Sequence, residues 1–240
     1  MCGRFVAATE PFRLARYFDA EEWPVEQEKA WVPNYNTAPT QQVLAIRESA
    51  GQRRIEYLRW GLVPAWAEDL RIGSRMINAR AETVTEKRSF SKPFKTQRCL
   101  VPVDGFYEWQ VSQETGRKQP HYLFRGDGEP LALAGLWEVW NGGTEGPIET
   151  CTILTCAPNQ TLAPIHDRMP VVLGRSAWGR WLDNGEHDTG YLQTLLVPAA
   201  NDLILHHPID TAVNSASNNH AWLREPVNPD ALTTGDNALF

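Results

Sequence analysis

The sequence predicts an α+β fold with mostly antiparallel strand pairing. Two observations carry that prediction. Strand-like runs cluster in the middle of the chain while helix-like segments lie at its flanks, and no βαβ alternation is present. A third observation sets the scale: 240 residues, 42% hydrophobic and 22% charged, suffice for one large domain with a proper core and no disulfide or metal staple. The expected organisation is a single domain over residues 1–224 and a polar, proline-bearing tail over 225–240.

The elements follow in order. Thr9-Glu10-Pro11 reads as a helix start, with a capping hydroxyl and a proline in the first turn, and Phe12, Leu14, Ala15 and Phe18 supply the apolar face. Residues 20–40, rich in turn formers, read as an ordered loop. Residues 42–47 and 53–60 read as two strands of a hairpin through Ser49-Ala50-Gly51. Gly61, Pro64 and Gly73 mark 61–76 as a functional loop, and a helix is expected around 80–87. Strands return at 98–103, 106–110, 121–125, 131–140 and 150–156, with turns at Gly126-Asp127-Gly128 and over 142–146. Ser176 caps a predicted helix through Trp178, Trp181 and Leu182, and 189–196 reads as helical.

Composition excludes several classes. No run of eighteen apolar residues exists, so a membrane-spanning helix is not expected, and the N-terminus lacks a secretory apolar stretch. A cytoplasmic location follows as the expectation, nucleoid-associated when on DNA. The net charge of −6 argues against a protein that coats nucleic acid along its whole surface. The charge is segregated, however. Arg75, Arg80, Lys87, Arg88, Lys92, Lys95 and Arg98 face only Glu82 and Glu86, so residues 75–98 carry +5 and the remainder −11. Phe90 and Phe94 lie inside that run. Taken alone, it is either a solvated basic face or a phosphate-tracking strip with aromatic platforms.

Cysteines stand at 2, 99, 151 and 156 without a CxxC pair, so neither a metal site nor a disulfide framework is expected. Cys99, Cys151 and Cys156 sit in apolar runs and read as core thiols, whereas Cys2 adjoins the initiator methionine. Most of the ten tryptophans are assigned to the core. Three further polar residues have unusual contexts: Asn78 after Met76-Ile77, Glu108 among Phe106, Tyr107 and Trp109, and His166 in Ile165-His166-Asp167-Arg168. A carboxyl in an aromatic strand is desolvated, which raises its pKa and suits it to proton transfer. Read singly, Glu108 fits a surface position on an alternating strand equally well, His166 a loop histidine paired with Asp167, and Asn78 a helix cap.

Read together, these residues resemble the SOS response-associated peptidase family, the abasic-site processing proteins that shield damaged single-stranded DNA. The matching segments are MCGRF at 1–5, NYNTAP at 34–39, WGLVPAWAED at 60–69 and MINARAET at 76–83. RCLVPVDGFYEW at 98–109, GLWEVW at 135–140, TILT at 152–155 and IHDRMPVVL at 165–173 complete the series. The resemblance implies a barrel-like β core flanked by short helices. It also implies a self-cleaving peptidase that removes Met1 and a Cys2 that then crosslinks to an abasic site.

The chemistry agrees. A free N-terminal cysteine offers an amine and a thiol on adjacent carbons, which condense with the aldehyde of an opened abasic sugar to a five-membered thiazolidine. At pH 7 the reference values leave about 14% of such an amine neutral and about 3% of the thiol ionised. An imine that fails to close permits β-elimination, a weak lyase reaction. By the same resemblance Asn78 holds the amine or sugar oxygen, Glu108 shuttles protons and His166 assists. Arg4, Arg80, Arg88 and Arg168 match phosphate-binding positions, with Asn36, Pro39, Trp66, Trp109 and Thr155 lining the groove. Some relatives carry a second tryptophan after Trp66, where this chain has Ala67.

No metal or organic cofactor is expected, and a monomer is. Two other classes use part of the same evidence. An N-terminal cysteine hydrolase of peptides or amides would use Cys2 but not the basic strip. A non-catalytic single-strand binding module would use the strip but not Cys2 with Glu108 and His166.

Overall fold

The computed structural model describes residues 2–23, 30–143 and 146–227. The start of the chain forms β1 (Phe5–Ala7) and then α1 (Pro11–Phe18). Proline opens α1 at its first position, where no N–H partner is needed, and Asp19 closes it at φ 53°. The expected hydroxyl cap is absent, because Thr9 Oγ1 donates to the Asp104 carboxylate instead. Leu14, Ala15 and Phe18 are buried as expected, but Phe12 points to solvent, with Pro11 taking its place on the buried face. Residues 20–40 are not all loop: Asn34–Thr37 form β2, a polar strand stitched to β1.

The predicted hairpin is present as β3 (Gln42–Ser49) and β4 (Gln52–Trp60). Its two-residue turn places both Ala50 (φ 52°) and Gly51 (φ 77°) in the left-handed region, the geometry whose twist matches the strands it joins. The loop after it is held by a close backbone crossing. A Cβ on Gly61 would come within 2.5 Å of the Gly73 carbonyl oxygen, and one on Gly73 equally near Gly61 O. Short strand β5 (Asn78–Arg80) follows. The helix expected at 80–87 is only a 3-10 turn over Ala81–Thr83, since Thr83, Val84 and Thr85 disfavour a longer helix. The helix lies instead at α2 (Ser91–Thr96), with Pro93 tolerated in its first turn.

Strands β6 (Arg98–Val103), β7 (Gly105–Val111), β8 (Lys118–Arg125), β9 (Leu131–Trp140) and β10 (Ile148–Cys156) fall where predicted. Beyond them lie β11 (Met169–Pro170), α3 (Arg175–Leu182), α4 (Thr189–Thr194) and β12 (Ile204–Pro208). Gly174, not Ser176, stands at the start of α3. Pro226 still bridges to Ile209, and the expected tail from 228 onward lies outside the described residues.

Two sheets organise these strands. In one, β4, β3, β6, β9 and β10 close on themselves, because β10 pairs with both β9 and β4, and β5 and β11 add to β10. This closed five-stranded barrel, flanked by short helices, is the α+β architecture expected. The pairing is antiparallel except along β10, which runs parallel to β4 and β5. The second sheet has the order β12-β8-β7-β1-β2. The chain steps from barrel to second sheet in one residue, Asp104, whose carboxylate accepts the N–H groups of Ala8 (2.6 Å) and Thr9 (3.1 Å).

Aromatics fill the interior. Phe5 of the second sheet meets Trp60 of the barrel at 4.7 Å between ring centroids, and Phe18 meets Trp178 at 4.6 Å. Each such side chain contributes roughly 1.5–3 kcal/mol through burial. Trp23, Trp60, Trp140, Trp178 and Trp181 are buried, whereas Trp66 and Trp222 remain exposed.

Candidate functional site at the N-terminal cysteine

The site forms where β1 and β7 of the second sheet meet the β5–β10–β11 edge of the barrel. Cys2 precedes β1 and is fully buried. Its position is fixed from two sides. Arg4 accepts a backbone bond from Tyr107 N–H at 2.9 Å, which lays residues 2–4 beside β7. Asn78, at the start of β5, donates from Nδ2 to the Cys2 carbonyl at 2.9 Å. Asn78 Oδ1 is buried without a hydrogen-bond partner among the described residues. An unmatched buried acceptor costs free energy, and it is suited to a donor that arrives later.

Glu108 lies on β7 and is 1% exposed, which settles the two readings of this residue in favour of a desolvated carboxyl. Burial pushes its pKa up to about 7, with the positive chain terminus working against the rise and Asp167 adding to it. His166 stands in the loop between β10 and β11, its Nε2 3.9 Å from Glu108 Oε2. His166 Nδ1 lies 3.0 Å from the Arg168 backbone N–H. Asp167 also reaches Nδ1, at 2.9 Å. Burial lowers the His166 pKa. Burial, and next the Glu108 carboxyl, raise the Cys2 thiol pKa. The four residues expected to act together therefore converge. They can hold a cysteine main chain, keep its thiol protonated, and move a proton near neutrality.

Comparison with known proteins bears on the same residues. The family model for SOS response associated peptidase (SRAP) matches residues 1–216, nearly the whole described chain.

The chain belongs to the SRAP family.

Among its relatives is the abasic site processing protein YoqW of Bacillus subtilis (strain 168). It is 41% identical over 225 residues, covering 94% of this chain and 99% of YoqW. The abasic site processing protein HMCES of Xenopus tropicalis is 31% identical, over 91% of this chain and 76% of its own length. A protein of Bacteroides thetaiotaomicron, 23% identical, shares the fold at a TM-score of 0.84 over 95% of this chain and 100% of that one.

In this SRAP domain the residues expected to line a groove fall into two groups. Arg80, Arg88 and Trp66 are exposed, and the Arg88 guanidinium stacks 4.6 Å from the Trp66 ring centroid. Pro39 and Trp109 are half-buried, and Trp109 Nε1 donates to Asn214 Oδ1 at 2.7 Å. Asn36 and Thr155, by contrast, are buried, and each holds an arginine. Asn36 Oδ1 accepts from Arg4 Nη1 at 2.8 Å, while its Nδ2 donates to the carbonyls of Val213, Ser215 and Asn218. The Thr155 carbonyl accepts from Arg168 Nη2 at 2.5 Å.

The basic strip is shorter than its sequence suggests. Arg98 is 1% exposed and donates to the carbonyls of Trp181, Phe94, Lys95, Asp183 and Glu186, so it ties α2 and α3 to β6. Phe94 is fully buried and offers no platform. Two partners escaped the sequence reading. Glu82 forms a two-pronged pair with Arg168 at 2.7 and 2.9 Å, and an acid set among the arginines and lysines of the basic run is the signal that could have found it. Asn214 has no comparable signature. Cys99, Cys151 and Cys156 are core thiols as read. Among the described residues no His, Cys, Asp and Glu cluster could hold a metal ion, and no helix is long and apolar enough to cross a membrane.

Proposed function

We propose that this protein captures abasic sites in single-stranded DNA as a thiazolidine on Cys2, once Met1 has been removed. The observation that supports this reading best is the convergence on one buried cysteine main chain of Asn78, Glu108 and His166. The family assignment supports it independently.

The chemistry runs in two stages. Hydrolysis of the Met1–Cys2 peptide bond consumes one water and releases methionine. The departing amine must gain a proton, and Glu108, with a pKa near 7, can give one and take it back. Before that cleavage the raised thiol pKa keeps Cys2 protonated and unreactive. Afterwards the cationic amine belongs to Cys2 itself and favours the thiolate. Asn78 Oδ1 is the acceptor in place for that amine.

In the second stage Glu108 protonates the sugar ring oxygen as the abasic deoxyribose opens. The Cys2 amine adds to the aldehyde and one water leaves as the imine forms. The thiol then adds to the imine carbon and its proton passes to the ring nitrogen. The sum is protein plus DNA minus one water. His166 faces the same carboxyl and assists the sugar-oxygen proton transfers. Arg4, Arg80, Arg88 and Arg168 hold phosphates, with Asn36 and Thr155 positioning two of them. Trp66, Trp109 and Pro39 line the path of the bases.

The test uses Met1-free protein and an oligonucleotide with one abasic site. A heat-resistant product at the summed mass less one water is expected, and none from Cys2→Ala. Its absence from confirmed Met1-free protein would overturn the reading. Turnover of peptide or amide substrates beyond Met1 would then favour an N-terminal cysteine hydrolase.

A further inference from the structure

Glu108 stands across the sheet from a histidine that the mechanism above does not use, and that histidine touches a second. On β7 and β8 Glu108 stands directly opposite His121 in the antiparallel register. Directly opposed side chains lie on the same face of a sheet, with Cβ atoms roughly 5 Å apart. His121 is 7% exposed, and its Nε2 is buried without a hydrogen-bond partner among the described residues. Its Nδ1 lies 3.3 Å from Nδ1 of His206 on β12, a residue open to solvent. The row therefore runs from His166 through Glu108 and His121 to His206.

We propose that His121 and His206 form a proton path between Glu108 and solvent, running across the second sheet toward its β12 edge. The need for one arises from the proposed function, on which this inference rests. DNA seated over His166 covers the open side of Glu108, yet the carboxyl must exchange protons during capture.

The transfer balances. A proton taken up at His206 Nε2 releases the Nδ1 proton to His121 Nδ1. The His121 Nε2 proton then passes through a bridging water to the Glu108 carboxylate. Each ring ends as its other tautomer, and the reverse transfer restores it. Burial, followed by His206 and His207, pushes the His121 pKa down to about 4, so this ring is neutral at rest and carries charge only in passing. Cys2, His166 and Asp167 are the other titratable groups that act on Glu108 or lie against it.

Two measurements decide it. Covalent capture by Met1-free His121→Phe and His206→Gln is followed in single turnover. Each is expected about tenfold slower than wild type, with the rate restored by added imidazole and binding to an intact single strand unchanged. Equal rates, or slow rates that imidazole does not restore, overturn the path. Independently, the ring nitrogens of His121 are followed by NMR across pH in the full chain. A step near pH 7, where Glu108 titrates, is expected and should vanish in Glu108→Gln. Its absence from wild type overturns the path whether or not any product forms. A wild type that shows the step but captures no DNA overturns the proposed function instead.

Discussion

Cys2 and Cys151 are equally buried, yet they sit in opposite kinds of environment. Cys151 lies on β10 in the barrel wall, between Trp60 on one neighbouring strand and Trp137 on the other. Burial is the main cause that sends its thiol pKa far up, with Cys99 adding and Arg47 opposing. Cys2 is likewise pushed up by burial, but the next contribution is a carboxyl that itself titrates near neutrality. Exposure therefore does not separate the cysteine proposed to react from a structural one in this molecule. The polar company does: an amide with a spare acceptor, a protonatable carboxyl and a histidine surround one thiol, and tryptophans the other.

The largest effect that tests this contrast is on the covalent product. Cys2→Ala, prepared free of Met1, should lose the heat-stable crosslink entirely. It keeps a terminal amine, so the imine still forms, cannot close, and proceeds to β-elimination. Strand cleavage should rise as crosslink disappears, visible on one denaturing gel. Cys151→Ser should leave capture per folded molecule unchanged and lower stability by about 1–3 kcal/mol, the cost of a buried hydroxyl without a partner. Loss of capture in Cys151→Ser at full folding would break the comparison.

Arginines repeat the lesson within the basic run. Arg98 is a charge whose five acceptors are carbonyls, two from α2 and three from α3 and the turn beyond it. Removing it takes this donor from the buried carbonyls of Trp181 and Phe94. Arg98→Ala should cost about 3–5 kcal/mol in urea unfolding, much more than a surface arginine.

What the sequence could reveal follows the range of the interactions. The β3–β4 hairpin was legible because its signal is local: alternating residues around a turn that needs two positive φ values, at Ala50 and Gly51. Glu108 was half-legible, since flanking aromatics predict desolvation but the strand face that buries it is set by β8 and the 157–168 loop. Arg98 was misread because its acceptors on α3 lie more than 80 residues away, and charge alone argues for exposure. Strand β2 was hidden by its own polarity. Its Asn36 is buried because the 213–218 segment supplies three carbonyls, which no local pattern announces. The roles proposed for Asn78 and His166 come only from the family resemblance, whereas the proton-transfer role proposed for Glu108 also follows from its aromatic neighbours.

Glu108 sharpens the contrast through pH. Its folded pKa, about 7, stands above the ordinary 4.5. The folded protein therefore holds this proton more tightly than the unfolded chain. Stability from this group is complete below pH 4.5 and is lost as pH rises through 7. Glu108→Gln should thus be more stable than wild type at pH 8 by about 3 kcal/mol, with the gain shrinking to nothing toward pH 4.5. Urea midpoints at the two pH values measure it. Equal stability at pH 8 would place the carboxyl in a better-solvated setting than its 1% exposure implies. The same variant should slow capture, so stability and activity move in opposite directions at one residue.

The smallest effect concerns Arg88, the counterpart of Arg98. It is exposed and rests on Trp66, itself 47% exposed, so its removal should shift stability by less than about 0.5 kcal/mol. Its proposed contribution is to DNA binding. Four phosphate contacts predict a slope of about −3 in log K against log salt, at roughly −0.7 per contact on a single strand. Arg88→Ala should make the slope shallower by about 0.7, read by fluorescence anisotropy on an intact single strand over a range of salt. Trp66→Ala should weaken binding by about 1–3 kcal/mol while leaving the slope unchanged, because a stacked base releases no counterion. If Arg88→Ala instead weakened binding with an unaltered slope, the guanidinium would be a support for the tryptophan face and not a phosphate contact. This exposed arginine would then resemble the buried Arg98, which serves the fold.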